Sequence, residues 1–177
     1  MKNSELQKML KSHKLWIDSN KKQGEQANFC GADLREVDLR EVDLSEVSFR
    51  GCDLRGSDLR GSDLSGCDLR ESDLRGANFR GCDLRGCDLS ESDICEANFY
   101  KADLRGADSY KAKFCGVDLR GSDIRRASFL KADFRGSDLR GVDFRETNLR
   151  ETNFYEASLR GTIIREADLD FSDRNFA

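Results

Sequence analysis

Large apolar residues recur at every fifth position over most of this 177-residue chain. Stepping by five from Phe29 reaches Leu169 without an insertion or deletion, and Leu, Phe or Ile occupies 28 of these 29 positions, here called centres. The exception is Ser109. A small residue (Ala, Ser, Cys, Val or Thr) stands two positions before each centre, Asp precedes 19 centres, and Arg follows 18.

A strict period of five fits neither a helix, with a period of 3.6, nor a long strand, with a period of 2. It predicts a very short strand followed by a corner, in which the small residue and the centre point inward and the Asp points outward. One such unit buries a single large side chain, about 1.5–3 kcal/mol at best, and cannot fold alone. Coils stacked on one another would bury a continuous column of these side chains.

The motif of a small residue, Asp or Asn, then Leu or Phe over residues 27–169 resembles the pentapeptide repeat family. The resemblance implies an all-β solenoid, a right-handed quadrilateral β-helix with four pentapeptides in each coil. It further implies about seven coils and a rod roughly 34 Å long at a coil spacing of about 4.8 Å. Residues 20 apart would then lie above one another, and Phe114, Phe134 and Phe154 are expected to stack inside.

The first residues have a different pattern, which predicts a helix over residues 4–18. Ser4 and Gln7 have the spacing of a capping box. An apolar stripe runs along one face of this helix: Leu6, Met9, Leu10, His13, Trp16 and Ile17. Since solenoids need end caps, we interpret residues 1–26 as an N-terminal capping helix and linker, with a partner-binding helix as the alternative. Residues 27–171 form the expected β-helix, and residues 172–177 a C-terminal tail.

The composition argues against most enzyme classes. The 30 basic and 34 acidic residues are interleaved along the chain, which argues against direct nucleic-acid binding. No phosphate-binding loop or zinc-ligand spacing is present, and the single His13 has no nucleophile or base around it. We therefore expect no catalytic residues, no cofactor and no metal.

No apolar run is long enough to cross a membrane, and without a signal-peptide pattern a cytoplasmic location is expected.

The seven cysteines fall into two groups. Cys52, Cys67, Cys82 and Cys87 occupy small inward positions, where they are expected to act as small apolar residues. Cys95 and Cys115 both follow a centre and are 20 apart, so they are predicted to be outward neighbours on adjacent coils. Two free thiols are the simplest interpretation in a reducing compartment. A disulfide or a soft-metal site is the alternative, because a Cα separation of about 4.8 Å lies within the range that disulfides tolerate.

The consensus fails most clearly around residue 109. There the outer surface is expected to become aromatic and basic together, which is typical of protein-contact sites. The candidate partner patch consists of Tyr100, Ser109, Tyr110, Lys111, Lys113 and Leu130. The structural alternative is a tolerated void or a local bulge covered by Tyr110.

Two functional hypotheses follow. The first is a non-enzymatic, rigid scaffold that binds an unknown protein partner. The second comes from the resemblance alone, since some bacterial family members imitate DNA, bind DNA gyrase or topoisomerase IV and modulate fluoroquinolone sensitivity. Duplex DNA carries a negative charge every ~1.7 Å, whereas residues 27–177 carry 24 basic and 31 acidic groups. The expected rod has the dimensions for such mimicry but lacks the dense negative charge of duplex DNA.

The C-terminal end of the β-helix would expose its last coil. Ile163 stands where Asp is usual, and Phe171 and Phe176 add two further apolar groups nearby. These three residues are the candidate contact of a homodimer, since a two-fold contact is the commonest closure for such a surface. A tail that folds back as a lid is the alternative.

Overall fold

The computed structural model describes residues 1–165 of the 177-residue chain. Its only helix within that range, α1, spans Asn3–Asp18. From residue 27 onward the backbone repeats the same short conformation every five residues. None of the described helices is long and apolar enough to cross a membrane.

Parallel β-bridges join each coil to the next. Every bridge among the described residues pairs positions 20 apart, from Asn28↔Ser48 at the N-terminal end to Asp143↔Ile163. Each side of a coil contributes one bridge residue, so the part of the chain described by the structure contains isolated bridges rather than extended strands. Four pentapeptides therefore make one coil, as expected. The total of about seven coils stays a prediction, since residues 166–177 lie outside the described range.

The backbone polar groups are satisfied from coil to coil. The N–H of Leu54 donates to the carbonyl of Asp73 on the next coil (2.8 Å), and the N–H of Asp53 donates to Ala32 on the previous one (3.0 Å). Within a coil, the N–H of Ser57 closes the corner by donating to the Leu54 carbonyl (3.1 Å). This pattern recurs along the rod, so each pentapeptide depends on the coils above and below it.

The corners explain the fifth position of the repeat. All 27 corner residues from Gly31 to Gly161 have a positive φ, for example +65° at Gly56 and +59° at Glu71. Glycine adopts this left-handed conformation without a steric penalty, and 14 of the corners are glycine. The others are Glu, Lys or Arg, whose unbranched side chains extend outward at the corner.

The interior is one continuous apolar column. The centres from Phe29 to Phe154 are at most 3% exposed, and the small residues beside them are nearly all buried as well. The predicted aromatic stack is confirmed, because the ring centroids of Phe114 and Phe134 are 4.8 Å apart and those of Phe134 and Phe154 are 5.6 Å apart. One large and one small side chain per pentapeptide fill the narrow interior.

Polar residues at the small inward positions are hydrogen-bonded. Ser57 Oγ donates to the Leu34 carbonyl (2.6 Å), and Cys67 Sγ donates to the Leu44 carbonyl (3.0 Å). Burial raises the pKa of the Cys52 and Cys82 thiols to about 12. These cysteines are therefore small, protonated packing residues, as predicted.

Helix α1 packs on the first coils through Leu6, which is buried in the core, and through Met9 and Leu10. The predicted capping box of Ser4 and Gln7 is wrong. The helix begins one residue earlier, and no side chain caps it.

His13 is a residue of α1, and its side chain is fully buried. Its Nδ1 accepts a hydrogen bond from the N–H of Ala27 (3.3 Å), and its ring stacks on Trp16 at 5.6 Å. Burial lowers the pKa of His13, against the opposing effect of the carboxylates of Asp43 and Glu46. The contacts of this residue are those of helix packing.

Candidate interaction surfaces

The regular outer surface is built from Asp–Arg pairs. In the pentapeptide centred on Leu59, Arg60 Nε donates to Asp58 Oδ1 (2.8 Å) and Nη2 donates to Oδ2 (2.6 Å). The backbone N–H of Arg60 also donates to Asp58 Oδ1 (3.2 Å). The Asp therefore fixes both the following backbone and the Arg side chain.

These pairs continue between coils. Arg55 Nε lies 3.4 Å from Asp73 Oδ2 on the next coil, in addition to its own pair with Asp53. Hydrogen bonding to Arg40 lowers the pKa of the Asp38 carboxyl to about 2. Stacked carboxylates are thus held in the charged form by the arginines, and the regular surface is close to electrically neutral.

One groove on the described surface has the same character. It holds ≈ 440 Å³ and is shallow. It is lined by Arg85, Arg105, Gly106, Arg125, Arg126 and Glu146. Each of the first three arginines on its wall is paired with the Asp two residues before it. Among residues 1–165, no group of three or more His, Cys, Asp or Glu side chains is arranged to hold a metal ion.

The predicted partner patch is divided by the fold. Tyr110 and Leu130 lie on adjacent coils of one side, and both are half-buried. Lys111 Nζ lies 5.0 Å from the centroid of the Tyr110 ring. We call Tyr110, Lys111 and Leu130 the Tyr110 patch. Lys113 belongs to the next side, where its Nζ pairs with Asp93 Oδ2 at 3.3 Å.

Ser109 does not contribute to the surface. It is fully buried at a centre, and its Oγ has no hydrogen-bond partner within the described residues. The backbone register is unbroken here, since Asp108 bridges both Asp88 and Ser128. The alternative of a local bulge is therefore wrong.

Tyr100 lies on the opposite side of the rod, because ten residues correspond to two of the four sides of a coil. Its ring is stacked between two arginines, with centroid distances of 5.5 Å to Arg80 Cζ and 5.7 Å to Arg120 Cζ. Lys101 Nζ is 5.3 Å from the same ring. We call Arg80, Tyr100, Lys101 and Arg120 the Tyr100 patch.

The side that carries the Tyr100 patch has a positive charge. Its seven pentapeptides, centred on Leu39 through Leu159, contain seven basic and five acidic residues, a net of +2. Asn78 and Asn98 stand here where Asp is usual. Within the described residues no ion pair joins Arg80 to a carboxylate, whereas its column neighbour Arg60 is paired. The Arg80 contact was missed by sequence reasoning, although Asn78 was a readable signal for it.

Ile163 is 47% exposed on the last described coil, and it forms a bridge with Asp143. The other two residues of the predicted dimer contact, Phe171 and Phe176, lie outside the described residues. The homodimer therefore stays a prediction. Tyr155, which the sequence analysis did not single out, is also half-exposed near this end.

Cys95 and Cys115 lie as outward neighbours on adjacent coils, and both are free thiols. The N–H of Glu96, next to Cys95, donates to the Cys115 carbonyl (2.8 Å). Cys115 Sγ donates to Asp133 Oδ2 (3.5 Å). Burial and the hydrogen bond with the Cys115 thiol raise the pKa of Cys95 to about 12.

A four-sided β-helix with an apolar column and an ion-paired surface defines a solenoid repeat protein. The sequence profile described as pentapeptide repeats matches eight copies in this chain, at residues 25–61, 72–108, 110–141 and 137–173. The chain belongs to the pentapeptide repeat family. No curated protein sequence matches it significantly.

Solved structures with a similar fold include three pentapeptide repeat proteins. QnrB1, a plasmid-mediated fluoroquinolone resistance protein, is 18% identical, with 80% of this chain and 91% of QnrB1 covered and a TM-score of 0.37. HetL from the cyanobacterium Nostoc, involved in heterocyst differentiation regulation, is 26% identical, with 82% and 83% covered and a TM-score of 0.34. Rfr23 from the cyanobacterium Cyanothece is 22% identical, with 81% and 87% covered and a TM-score of 0.38.

Proposed function

We propose that this protein is a non-enzymatic, rigid scaffold that binds an acidic surface of another protein through the Tyr100 patch. The observation that carries the proposal is the stack of Tyr100 between Arg80 and Arg120 on the one side of the rod with a net positive charge. Tyr and Arg are enriched among the residues that dominate binding energy at protein interfaces. Both types stand here on a backbone that the coil-to-coil hydrogen bonds hold in place.

Among the described residues, Arg80 lacks the carboxylate partner that most arginines of the rod have. A typical arginine of the rod already has a carboxylate partner, so a new partner would have to replace that ion pair. Arg80 has Asn78 in that place, and its guanidinium stacks on Tyr100. It can therefore accept a partner carboxylate without breaking an existing pair.

DNA mimicry is supported less well. Mimicry needs a dense row of unpaired negative charges, whereas the Asp residues of the regular surface are bonded to arginines at distances such as 2.6 Å for Asp58 and Arg60. A supercoiling assay with purified gyrase tests this alternative directly. Inhibition by micromolar wild-type protein would favour it over the scaffold hypothesis.

The scaffold hypothesis is tested by quantitative capture of binding proteins from the source cells on immobilised wild-type and variant chains. Tyr100→Ser and Arg80→Ser are expected to reduce capture of a specific partner at least tenfold. Arg60→Ser is the matched control, because it lies in the same column but its charge is already paired with Asp58. Equal loss in the control, or loss only with Tyr110→Ser, would contradict the assignment to the Tyr100 patch.

The predicted homodimer is a separate proposal with its own measurement. Light scattering at micromolar concentration is expected to give a mass near twice the 20.0 kDa of one chain. Ile163→Asp, at an exposed position, is expected to shift the mass toward that of the monomer while the β spectrum is kept. A monomeric wild-type protein would contradict the homodimer and favour the alternative, a C-terminal tail that folds back as a lid.

A further inference from the structure

One column of the outer surface changes its chemistry in the middle of the rod. Arg35, Arg55, Arg75 and Arg135 occupy this column on their coils, whereas positions 95 and 115 are cysteines. Their coils are adjacent and in register, since Asp93 bridges Lys113. Two thiols thus stand side by side in a column whose other members are these four arginines and, at the C-terminal end, Tyr155.

The charges around the two thiols change with them. Lys113 is the one Lys that precedes a centre anywhere in the 29 pentapeptides. Its Nζ lies 3.3 Å from Asp93 Oδ2, in the place that the missing Arg of that coil would take. On the other flank, Cys115 Sγ lies 3.5 Å from Asp133 Oδ2, and the same carboxylate is paired with Arg135 Nη2 at 2.7 Å. Each flank of the two thiols therefore carries a cation that is paired with a carboxylate, Lys113 with Asp93 and Arg135 with Asp133.

The coil spacing sets which ligand fits between the sulfurs. Side chains in one column are about 4.8 Å apart. A linear two-coordinate ion needs two sulfurs separated by twice the metal–thiolate bond length, which is about 4.6 Å for a bond as long as the ~2.3 Å of zinc–thiolate. A disulfide instead needs sulfurs about 2.05 Å apart and Cβ atoms about 3.8 Å apart, which demands a local contraction of the ladder. The ladder therefore suits a bridging ion better than a disulfide.

The ligand set indicates the class of ion. Structural zinc sites use four ligands, and residues 1–165 bring no group of three metal-binding side chains together. Thiolates select soft ions such as Cu(I). We propose that Cys95 and Cys115 form a two-thiolate binding site for Cu(I). On binding, each thiol loses its proton to water, two Cu–S bonds form, and copper stays in the +1 state, so no electron is transferred and the complex carries one negative charge.

The chain contains a matched pair of cysteines for comparison. Cys67 and Cys87 are also 20 apart in one column, but both are 1% exposed. Their Sγ atoms donate to the carbonyls of Leu44 (3.0 Å) and Leu64 (2.8 Å). Among the described residues no Lys or Arg is buried in this core, so losing two protons there would leave buried charge. The two pairs share a spacing and differ in exposure and charge.

The test is a titration of the reduced protein, without oxygen, with Cu(I) held by a chromophoric chelator. Wild type is expected to withdraw one equivalent of Cu(I) per chain. Cys95→Ser and Cys115→Ser are expected to weaken binding at least 100-fold, and the double variant Cys67→Ser with Cys87→Ser to bind like wild type. Serine is already present at equivalent positions of both kinds, such as Ser90 and Ser57, so the variants should fold, and circular dichroism checks this.

X-ray absorption of the copper-loaded full chain gives a second readout. Two sulfur ligands are expected in a linear arrangement. The proposal is overturned if wild type withdraws no Cu(I), if Cys95→Ser with Cys115→Ser binds as well as wild type, or if the copper has three or more ligands. Loss of binding in the Cys67 and Cys87 double variant would also overturn it.

Discussion

Residues 51–90 and residues 92–131 are equally long parts of the same rod, but only the first keeps the consensus phrase. In both, the inward positions are buried, except for the partly buried Ser122, and the bridges join residues 20 apart. The outward positions differ, because the second stretch contains Tyr100, Tyr110, Lys113 and the thiols of Cys95 and Cys115. The difference shows that the interior fixes the fold, while the outer columns can change without disturbing the register.

The two stretches also share one outward feature, which explains the preference for Asp. The Asp53 carboxylate accepts a hydrogen bond from the N–H of Arg55 (3.2 Å), and Asn98 does the same for Tyr100 (2.9 Å). An Asx side chain that bonds to the N–H two residues later stabilises a turn. The Asp or Asn is therefore a local structural residue, and the position after the centre is the one free to carry function.

The largest effect is expected from a charge in the interior. Leu74→Asp would place a carboxylate where the side chain is 0% exposed, with no partner to offset its desolvation. We expect loss of the folded state, measured as loss of the β signal in circular dichroism. The corresponding change in the second stretch, Leu104→Asp, is expected to be as damaging. If either variant melts within a few degrees of wild type, the interior is not the shared determinant.

Thiol reactivity separates the inside from the outside in a single experiment. Under native conditions an alkylating reagent is expected to modify Cys30, Cys95 and Cys115, which are at least partly exposed. The four buried cysteines should react only after denaturation. Mass spectrometry of the adducts counts them. Rapid modification of a fourth thiol in folded protein would show that the regular stretch opens more readily than its packing implies.

Neither stretch contains His, whereas the N-terminal capping helix contains His13. Mildly acidic pH is therefore expected to destabilise the packing of that helix. Because burial lowers the pKa of His13 in the folded state, the unfolded chain binds the proton more readily below the ordinary pKa of about 6.5. Stability should therefore be complete above that pH and fall as the pH decreases from about 6.5 toward the lowered value. Thermal melts from pH 7.5 to pH 5 measure this, and His13→Gln should flatten the dependence. An unchanged slope in His13→Gln would assign the effect to carboxylates.

Two buried serines give opposite predictions for one substitution. Ser57→Ala removes a hydrogen bond to the Leu34 carbonyl and should cost about 1 kcal/mol. Ser109→Ala removes a buried hydroxyl with no partner in the described part of the chain and should gain about 1 kcal/mol. Urea unfolding of both variants measures the difference. Destabilisation by Ser109→Ala would mean that its hydroxyl has a partner in solution.

The smallest effect is expected from the outer ion pairs. Arg75→Ala in the first stretch and Lys113→Ala in the second each break an exposed pair, with Asp73 at 2.6 Å and with Asp93 at 3.3 Å. Each change should destabilise the fold less than Ser57→Ala does, and less still at high salt. Urea unfolding at two salt concentrations tests this. A cost several times larger would show that the surface ladders help to hold the coils together.

The sequence predicted the coil and its inward residues because one period governs both. Phe114, Phe134 and Phe154 stack as their 20-residue spacing requires. The candidate surface was harder to predict, since the period gives the column of an outward residue but not the contacts of its side chain. The period places Tyr100 two sides before Tyr110, but it did not predict that Tyr100 stacks on Arg80 and Arg120. The predicted N-cap at Ser4 was wrong, because helix α1 begins at Asn3 and no side chain caps it.

The 20-residue bridge spacing also limits how such a gene can change its length. Deleting one pentapeptide would keep the interior filled but move every downstream residue to the neighbouring side. Outward residues before and after the deletion would then stack on residues from a different column. Deleting or duplicating 20 residues would leave each column intact and only shorten or lengthen the rod. Length variants that keep every outer column intact should therefore arise in steps of whole coils. A five-residue deletion before residue 80 would leave the Tyr100 patch together, since all of its residues would move by one side, but it would place different upstream residues in their column.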